Sequence, residues 1–194
     1  MSLDLSQCSD RELAALAHAG QQAAYRELLG RYKAPVFRLI RANIGDPDEA
    51  LDLTQESFVA GFAALGRYDA DRPFRIWIAR IALNKCRDWA RRRAVRSFFA
   101  RALPLDSAHD VASDAPAPDA EAADRAELKR VRAAMARLAP NLREILILRG
   151  IEDLSQAETA ELLQISEKAV ETRLYRARAK LKALLGGPQP HAGE

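Results

Sequence analysis

The sequence predicts an all-α protein made of two helical domains joined by a flexible acidic linker. Apolar residues recur at three- and four-residue steps through most of the chain, and hairpin signals and alternating strand patterns are missing from the sequence. One central stretch has almost no large apolar residues. We expect domains over 1–100 and 125–187, a linker over 101–124 and a disordered tail over 188–194.

The first domain is predicted to contain four helices. We expect them over residues 10–18, 22–43 and 48–65, and from 74 to about 93 or beyond. Ser9 and Asp10 are suited to cap the first helix, and Pro35 should either kink the second or split it in two. The apolar side chains of the third helix are expected to face a core: Leu51, Phe58, Phe62 and Leu65.

The second domain is predicted to contain a helix-turn-helix. Its four helices are expected over residues 121–138, 141–149, 155–163 and 167–185. Ser155 and Glu158 form the sequence pattern of a capping box, and Ser166 can cap the last helix. Two helices joined by three or four residues are the helix-turn-helix arrangement, although a plain helical bundle produces the same pattern.

Charge and composition restrict the possible functions. Residues 1–103 carry a net charge of +5, 104–124 of −6 and 125–194 of +4, so two basic blocks flank an acidic strip. Basic blocks favour a polyanionic partner, with a solvated surface as the alternative. No stretch is apolar enough to insert in a membrane and no secretory signal begins the sequence, which favours a cytoplasmic protein. Cys8 and Cys86 lack metal-ligand spacing, so we expect no metal and no cofactor.

The last predicted helix has one apolar and one polar face. Its core stripe consists of Val170, Leu174, Ala177, Leu181 and Leu184. The candidate base and phosphate contacts lie opposite or beside that stripe: Lys168, Glu171, Thr172, Arg173, Tyr175, Arg176 and Arg178. An arginine can bind guanine through two hydrogen bonds, a glutamate can accept from cytosine, and a threonine can use its hydroxyl or its methyl. The alternative is a solvated basic helix end.

Three segments resemble one family. Residues 142–181 resemble region 4 of the extracytoplasmic-function (ECF) sigma factors of bacterial RNA polymerase, through the stretches LSQAETA and VETRLYRARAKL. DLTQESF, residues 52–58, resembles the segment of sigma region 2 that docks on the polymerase clamp. Residues 74–89 resemble the segment of region 2 that holds the minus-10 element.

The resemblance implies a transcription initiation subunit without catalytic activity. Its implied partners are core RNA polymerase, through the clamp of the largest subunit and the flap of the second, together with promoter DNA and an anti-sigma factor. The implied polymerase contacts are Asp52, Gln55 and Glu56. The implied minus-10 contacts are Asp71, Arg72, Phe74, Asn84, Lys85, Arg87 and Arg91. Ile76 and Leu83 lie off the core stripe of their helix, so we expect them to be exposed and available to an anti-sigma partner.

Three other functions are alternatives for this sequence. A sigma-like decoy that binds only an anti-sigma factor should lose its base-contacting cations, yet Arg87 and Arg176 are present. A helix-turn-helix activator with a helical sensor domain would not need the DLTQESF segment. A nucleic-acid enzyme would need a carboxylate cluster, metal spacing or an activated nucleophile, and the sequence pattern supplies none.

Overall fold

The computed structural model of the chain describes residues 4–102 and 119–186, which form eight α-helices and no strand. The helices are α1 (Asp10–His18), α2 (Gln22–Ile44), α3 (Pro47–Ala63), α4 (Phe74–Ala102), α5 (Asp119–Ala136), α6 (Pro140–Gly150), α7 (Gln156–Leu163) and α8 (Glu167–Gly186). Most of the predicted linker, residues 103–118, and the tail lie outside the described residues. The all-α prediction is confirmed.

Local signals explain most of the helix ends. Ser9 caps α1 and exchanges hydrogen bonds with Glu12 in a capping box, as its sequence position predicts. Gly45 ends α2 with a φ of 84°, a left-handed conformation that glycine adopts without a Cβ clash. Helix α2 continues through Pro35, so of the two expected outcomes, a kink or a split, the structure excludes the split.

The first four helices pack around one core. Its fully buried side chains include Leu13, Leu28, Leu53 and Phe74. Helices α3 and α4 approach closely at Gly61, where an added Cβ would lie 2.8 Å from Cδ1 of Ile78. Cys86 is buried in the same core. Leu51 does not join it, contrary to expectation, because its position on α3 turns the side chain towards solvent.

Helices α6, α7 and α8 form the predicted helix-turn-helix domain, and α5 packs against α8. Ile145, Ala160, Val170 and Ala177 are the buried centre of this domain. The α7–α8 turn places Gln164 in a left-handed conformation, and the Gln156 side chain donates to the carbonyl oxygen of Glu167 at 3.2 Å. These contacts determine how α8 leaves the turn.

The two domains pack on each other. Leu148, Leu154 and Leu162 of the second domain belong to the same apolar cluster as Ile76 and Leu83 of α4. Ile76 and Leu83 are each 1% exposed, so the expectation that they are free for a partner is wrong. The sequence shows that these side chains are apolar, but only the tertiary structure shows that the second domain covers them.

Candidate nucleic-acid interface

The helix-turn-helix is capped as its sequence predicts. The hydroxyl of Ser155 accepts from the Glu158 amide at 3.1 Å, and the Glu158 carboxylate accepts from the Ser155 amide at 2.7 Å. Hydrogen bonds that the Glu158 carboxylate accepts from Ser155, chiefly from its backbone amide and then from its side chain, lower the pKa of Glu158 below its ordinary value. Ser166 caps α8 by accepting from the Ala169 amide at 3.2 Å. The two helices are thus joined through satisfied backbone groups.

Helix α8 exposes the face predicted to contact the minus-35 element. Val170 and Ala177 are buried beneath it, while Arg173 is half-buried at its edge. Six predicted contacts are exposed: Lys168, Glu171, Thr172, Tyr175, Arg176 and Arg178. Tyr175 is 76% exposed, which is unusual for an aromatic side chain without a partner. This face of α8 is therefore exposed to solvent even though the two domains pack on each other.

Three residues on this face interact with one another. Lys168 Nζ lies 3.1 Å from Glu171 Oε2, one turn along the helix. The Thr172 hydroxyl donates to the carbonyl oxygen of Lys168 at 2.9 Å. Both interactions are exposed and therefore contribute little stability, so DNA groups can replace them at small cost.

The loop before α4 is held by its own side chains. The Tyr68 hydroxyl donates to the carbonyl oxygen of Arg72 at 2.6 Å. The Asp69 carboxylate accepts from the Asp71 amide and from Arg72 Nε, each at 3.1 Å. Asp71 is exposed and forms an ion pair with Arg11 at 3.2 Å. The two loop residues expected to capture a base are thus at the surface.

Phe74 departs from its expected role. The side chain is fully buried, and its ring centroid lies 5.2 Å from that of Tyr32, 5.4 Å from Tyr68 and 5.3 Å from Trp77. A ring buried among three others cannot touch an extruded base in this conformation. Phe74 instead supports the loop from beneath, because Tyr68 packs directly against it.

The remaining minus-10 candidates lie on α4, and each has a partner within the chain. Arg87 donates to Glu144 of α6 through Nε at 2.9 Å and Nη2 at 2.8 Å, and through Nη1 to Asn84 at 3.3 Å. Lys85 Nζ lies 3.0 Å from Glu56 Oε2. Arg91 is paired with Asp88. The structure brings these cations to one helix, but with Arg87 facing the second domain.

Further arginines hold the domains together, and of these only Arg72 is among the contacts predicted from the sequence. Arg80 Nη2 donates to the carbonyl oxygen of Glu161 at 2.7 Å, and Arg75 to that of Glu152 at 3.2 Å. Arg72 Nη1 lies 3.5 Å from the Glu161 carboxylate. From the other side, Arg143 donates to the carbonyl oxygen of Asn43 at 3.0 Å. Carbonyl and carboxylate groups of the second domain therefore bind arginines that lie beside the expected minus-10 face.

The predicted polymerase contacts share one exposed face of α3. Asp52, Gln55 and Glu56 are exposed, while Leu53 and Phe58 on the other side are buried. Val59 extends the exposed face by one turn and is 70% exposed. Its spacing of seven residues from Asp52 would have identified it, because residues seven apart share a helix face.

Glu144 was also missed by the sequence analysis. It is buried at 7% exposure in α6, between Arg143 and Ile145. The sequence offers only a weak signal, a carboxylate directly before the apolar run 145–148, and a buried carboxylate requires a partner. That partner is Arg87, and its hydrogen bonds to Glu144 raise the pKa of the Arg87 guanidinium.

Neither a metal site nor a membrane span is found in the part of the chain that the structure describes. Within residues 4–102 and 119–186, no three His, Cys, Asp or Glu side chains are grouped to bind a metal ion. Within the same residues, no helix combines the length and the apolar composition needed to cross a bilayer.

Known proteins match both domains. The Sigma-70 region 2 family model matches residues 28–96, and the Sigma-70, region 4 model matches residues 128–181. RNA polymerase sigma factor CnrH of Cupriavidus metallidurans is 44% identical over 181 residues, which are 91% of this chain and 94% of that protein. ECF RNA polymerase sigma factor SigM of Mycobacterium tuberculosis is 31% identical, over 92% of this chain and 85% of that protein.

A solved structure is similar over nearly the full length. The structure of CnrH in complex with the cytosolic domain of CnrY has a TM-score of 0.67 and 37% sequence identity. The match covers 91% of this chain and 96% of that chain. The likeness therefore extends across both helical domains.

Proposed function

The chain belongs to the extracytoplasmic-function sigma factors of bacterial RNA polymerase, and we propose that it directs the polymerase to promoters through α8 and α4. Sigma factors are initiation subunits without chemistry of their own, so the contacts of this chain account for its role. The single observation that carries the proposal is α8, the second helix of a capped helix-turn-helix, with its basic face open to solvent.

Helix α8 is proposed to enter the major groove of the minus-35 element. Recognition helices present their first turns to base edges, while longer cationic side chains reach phosphates. On this basis Lys168, Glu171, Thr172, Tyr175 and Arg176 contact bases, and Arg173 and Arg178 contact the backbone. Arg176 is the main candidate for a guanine, since its exposed guanidinium has no carboxylate partner among the described residues.

Helix α4 and the loop before it are proposed to hold the melted minus-10 strand. Asp71 and Arg72 in the exposed loop would contact an extruded base, while Asn84, Lys85, Arg87 and Arg91 would contact bases and phosphates. The burial of Phe74 supports an indirect role in which its ring holds Tyr68 and the loop in position. This assignment requires Arg87 to leave Glu144 before DNA binds.

The exposed face of α3 is proposed to dock on the clamp of the largest polymerase subunit. Asp52, Gln55 and Glu56 would provide its polar contacts, and the exposed Val59 an apolar one. The second domain would reach the flap of the second subunit. A sigma factor with these contacts works beside the polymerase, which supports a cytoplasmic location.

An anti-sigma factor is proposed as the regulatory partner. Support comes from the similarity to CnrH, whose solved structure contains the cytosolic domain of CnrY. Ile76 and Leu83 are unsuitable as docking residues because the second domain already covers them. A partner that keeps the two domains together would also keep Arg87 on Glu144.

In vitro transcription tests the proposal. Purified chain, core polymerase and a library of randomised promoters should yield transcripts from templates that share two separated elements. Core polymerase alone is the control and should show no such enrichment. If the chain never joins the core, or joins it without enriching any template, the proposal is wrong.

A further inference from the structure

The last part of α4 extends beyond the core of the first domain. Trp89 is the last buried side chain among the described residues of this helix, and residues 91–99 are all exposed. The segment contains Arg91, Arg92, Arg93 and Arg96 but no acidic residue. Its end also exposes large apolar side chains. Val95 is 55% exposed, Phe98 71% and Phe99 59%.

The charge of this segment is largely uncompensated. Arg91 pairs with Asp88, and the Arg93 guanidinium lies 5.2 Å from the centre of the Trp89 ring. Arg92 and Arg96 have no carboxylate partner among residues 4–99 and 124–186, whose side chains the structure describes. Four arginines within six residues, two of them without a carboxylate partner among those described residues, favour a polyanionic ligand.

The two phenylalanines make the segment more than a basic patch. Their rings contact each other edge to face, with centroids 5.8 Å apart and an interplanar angle of 80°, and both remain open to solvent. Exposed aromatic rings beside arginines are the combination that nucleic-acid proteins use, since rings stack on bases while guanidinium groups bind phosphates. The Sigma-70 region 2 match ends at residue 96, so both rings lie beyond it.

The segment is also continuous with the proposed minus-10 face. At 100° per residue, a single stripe of α4 contains Asn84, Arg87, Arg91, Val95 and Phe98. The axial distance from Asn84 to Phe98 is about 21 Å, because a helix rises about 1.5 Å per residue. That distance equals roughly six nucleotides of B-DNA at about 3.4 Å each. One helix is thus long enough to contact the minus-10 strand and the adjoining DNA.

We propose that the exposed end of α4 is a second promoter-DNA site, in which Phe98 and Phe99 contact bases. Arg92 and Arg96, which share the adjoining stripe of the helix with Phe99, bind phosphates roughly two to four nucleotides from those held by Arg87. The inference rests on the proposed role of α4 at the minus-10 element. Its two base-contacting residues, Phe98 and Phe99, lie beyond the Sigma-70 region 2 match, while Arg92 and Arg96 lie within it. The ligand recognised at this site is a nucleotide base, contacted on its face, together with a neighbouring phosphodiester group.

Photo-crosslinking tests where this end of α4 lies. Phe98→p-benzoylphenylalanine is introduced into the full chain, which is assembled with core polymerase on a promoter fragment selected by in vitro transcription. We expect crosslinks to promoter DNA beside the minus-10 element. The same photoreactive residue at Leu128, an exposed apolar position on α5, is the control and should not crosslink to that position. Crosslinks confined to a polymerase subunit or to the chain itself, or none, would overturn the proposal.

Affinity measurements test the chemistry of the contact. Phe98→Ala/Phe99→Ala should weaken holoenzyme binding at least about fivefold, the loss expected when base stacking is removed. Arg92→Ala/Arg96→Ala should lower the slope of log affinity against log salt by about two. Matched controls are Leu128→Ala and Lys129→Ala/Arg137→Ala, which alter exposed groups of the second domain. Unchanged affinity and salt slope in both α4 variants would contradict the proposal.

Two fragment designs identify the form of DNA bound. A larger loss on a pre-melted bubble indicates stacking on an unpaired strand, and an equal loss on a closed duplex indicates contact with paired DNA; either result supports the site. Arg87→Ala separates this inference from the proposed function. If Arg87→Ala loses minus-10 selectivity while the Phe98 and Phe99 variant binds normally, only the further inference fails. If Arg87→Ala also binds normally, the proposed role of α4 fails.

Discussion

Arg87 and Glu144 join the two domains through a pair of parallel hydrogen bonds, 2.9 and 2.8 Å long. Glu144 is buried, and Arg87 is the α4 cation placed centrally among the minus-10 candidates. A two-pronged pair of this kind is stronger than a neutral hydrogen bond and holds the guanidinium in one orientation. Under the proposed minus-10 role of Arg87, the Glu144 carboxylate occupies the position of a promoter phosphate or base while the two domains are packed together.

Glu144→Gln should make the free chain a better binder of the minus-10 strand. The amide retains the shape of the side chain but removes the charge that competes for Arg87, a difference equivalent to about tenfold in affinity. Fluorescence anisotropy with a labelled single-stranded oligonucleotide from a selected promoter measures this. Glu127→Gln removes the same charge from α5, where Glu127 pairs with Arg130 of its own helix, and should have no effect. Equal affinities for the three proteins would show that Glu144 does not compete.

Arg176→Ala should relax selectivity at one base pair of the minus-35 element. Loss of a guanidinium that forms two hydrogen bonds with guanine costs about 1–3 kcal/mol at that position. Competition binding with every single-base variant of a selected promoter measures the loss. Arg178→Ala is the comparison, since a phosphate contact should weaken binding to all sequences alike. If Arg176→Ala shows the same uniform loss, it does not contact a base.

Gln55→Lys/Glu56→Lys should abolish assembly with core polymerase without unfolding the chain. Both side chains are exposed, and the lost ion pair between Glu56 and Lys85 is a surface pair that contributes under about 1 kcal/mol. Co-purification with core polymerase measures assembly, and circular dichroism the fold. Gln7→Lys/Glu127→Lys reverses charge at exposed positions away from α3 and should assemble normally. If the Gln55→Lys/Glu56→Lys variant still co-purifies with core polymerase, this face of α3 is not the polymerase-binding surface.

Ser155→Ala should destabilise the helix-turn-helix domain by about 1 kcal/mol at neutral pH, the usual cost of losing an N-cap. Hydrogen bonds from Ser155 lower the pKa of Glu158 below its ordinary 4.5. The stabilisation by its carboxylate is therefore present above pH 4.5 and is lost as the pH falls through the native pKa. Alanine retains the backbone amide, which is the largest cause of this shift, and removes only the contribution of the hydroxyl. The variant should therefore lose slightly less stability than the natural protein on acidification.

Urea unfolding at neutral pH and at successive acidic pH values measures both effects. Ser97→Ala, which removes an exposed hydroxyl from α4, should change neither the stability nor its pH dependence. A Ser155→Ala chain with unaltered unfolding free energy would mean that the cap contributes nothing.

Residues that act locally could be predicted from the sequence. Ser9 and Ser155 cap helices through atoms within three residues, so each pattern contains the information it needs. The exposed face of α8 follows from helical periodicity in the same way. The length of α4 could not be predicted, because residues after Trp89 carry no stop signal and no core contact defines an end.

Residues whose surroundings come from distant parts of the chain could not be assigned correctly. Ile76 and Leu83 are apolar in any arrangement, and only the position of the second domain makes them buried. The base contact predicted for Phe74 rests on a resemblance between linear segments. Such a resemblance does not specify that Tyr32 and Trp77 surround its ring. Glu144 and Arg87 are 57 residues apart, and no local pattern links them.

The buried thiol of Cys86 can report when the helices around it separate. Burial raises the pKa of its thiol to about 12, so the reactive thiolate is scarce at neutral pH. Alkylation of this cysteine by a maleimide therefore requires the surrounding helices to separate. The alkylation rate reports how often they do so. The half-buried Cys8 offers a faster-reacting thiol in the same molecule, against which the slow modification can be timed.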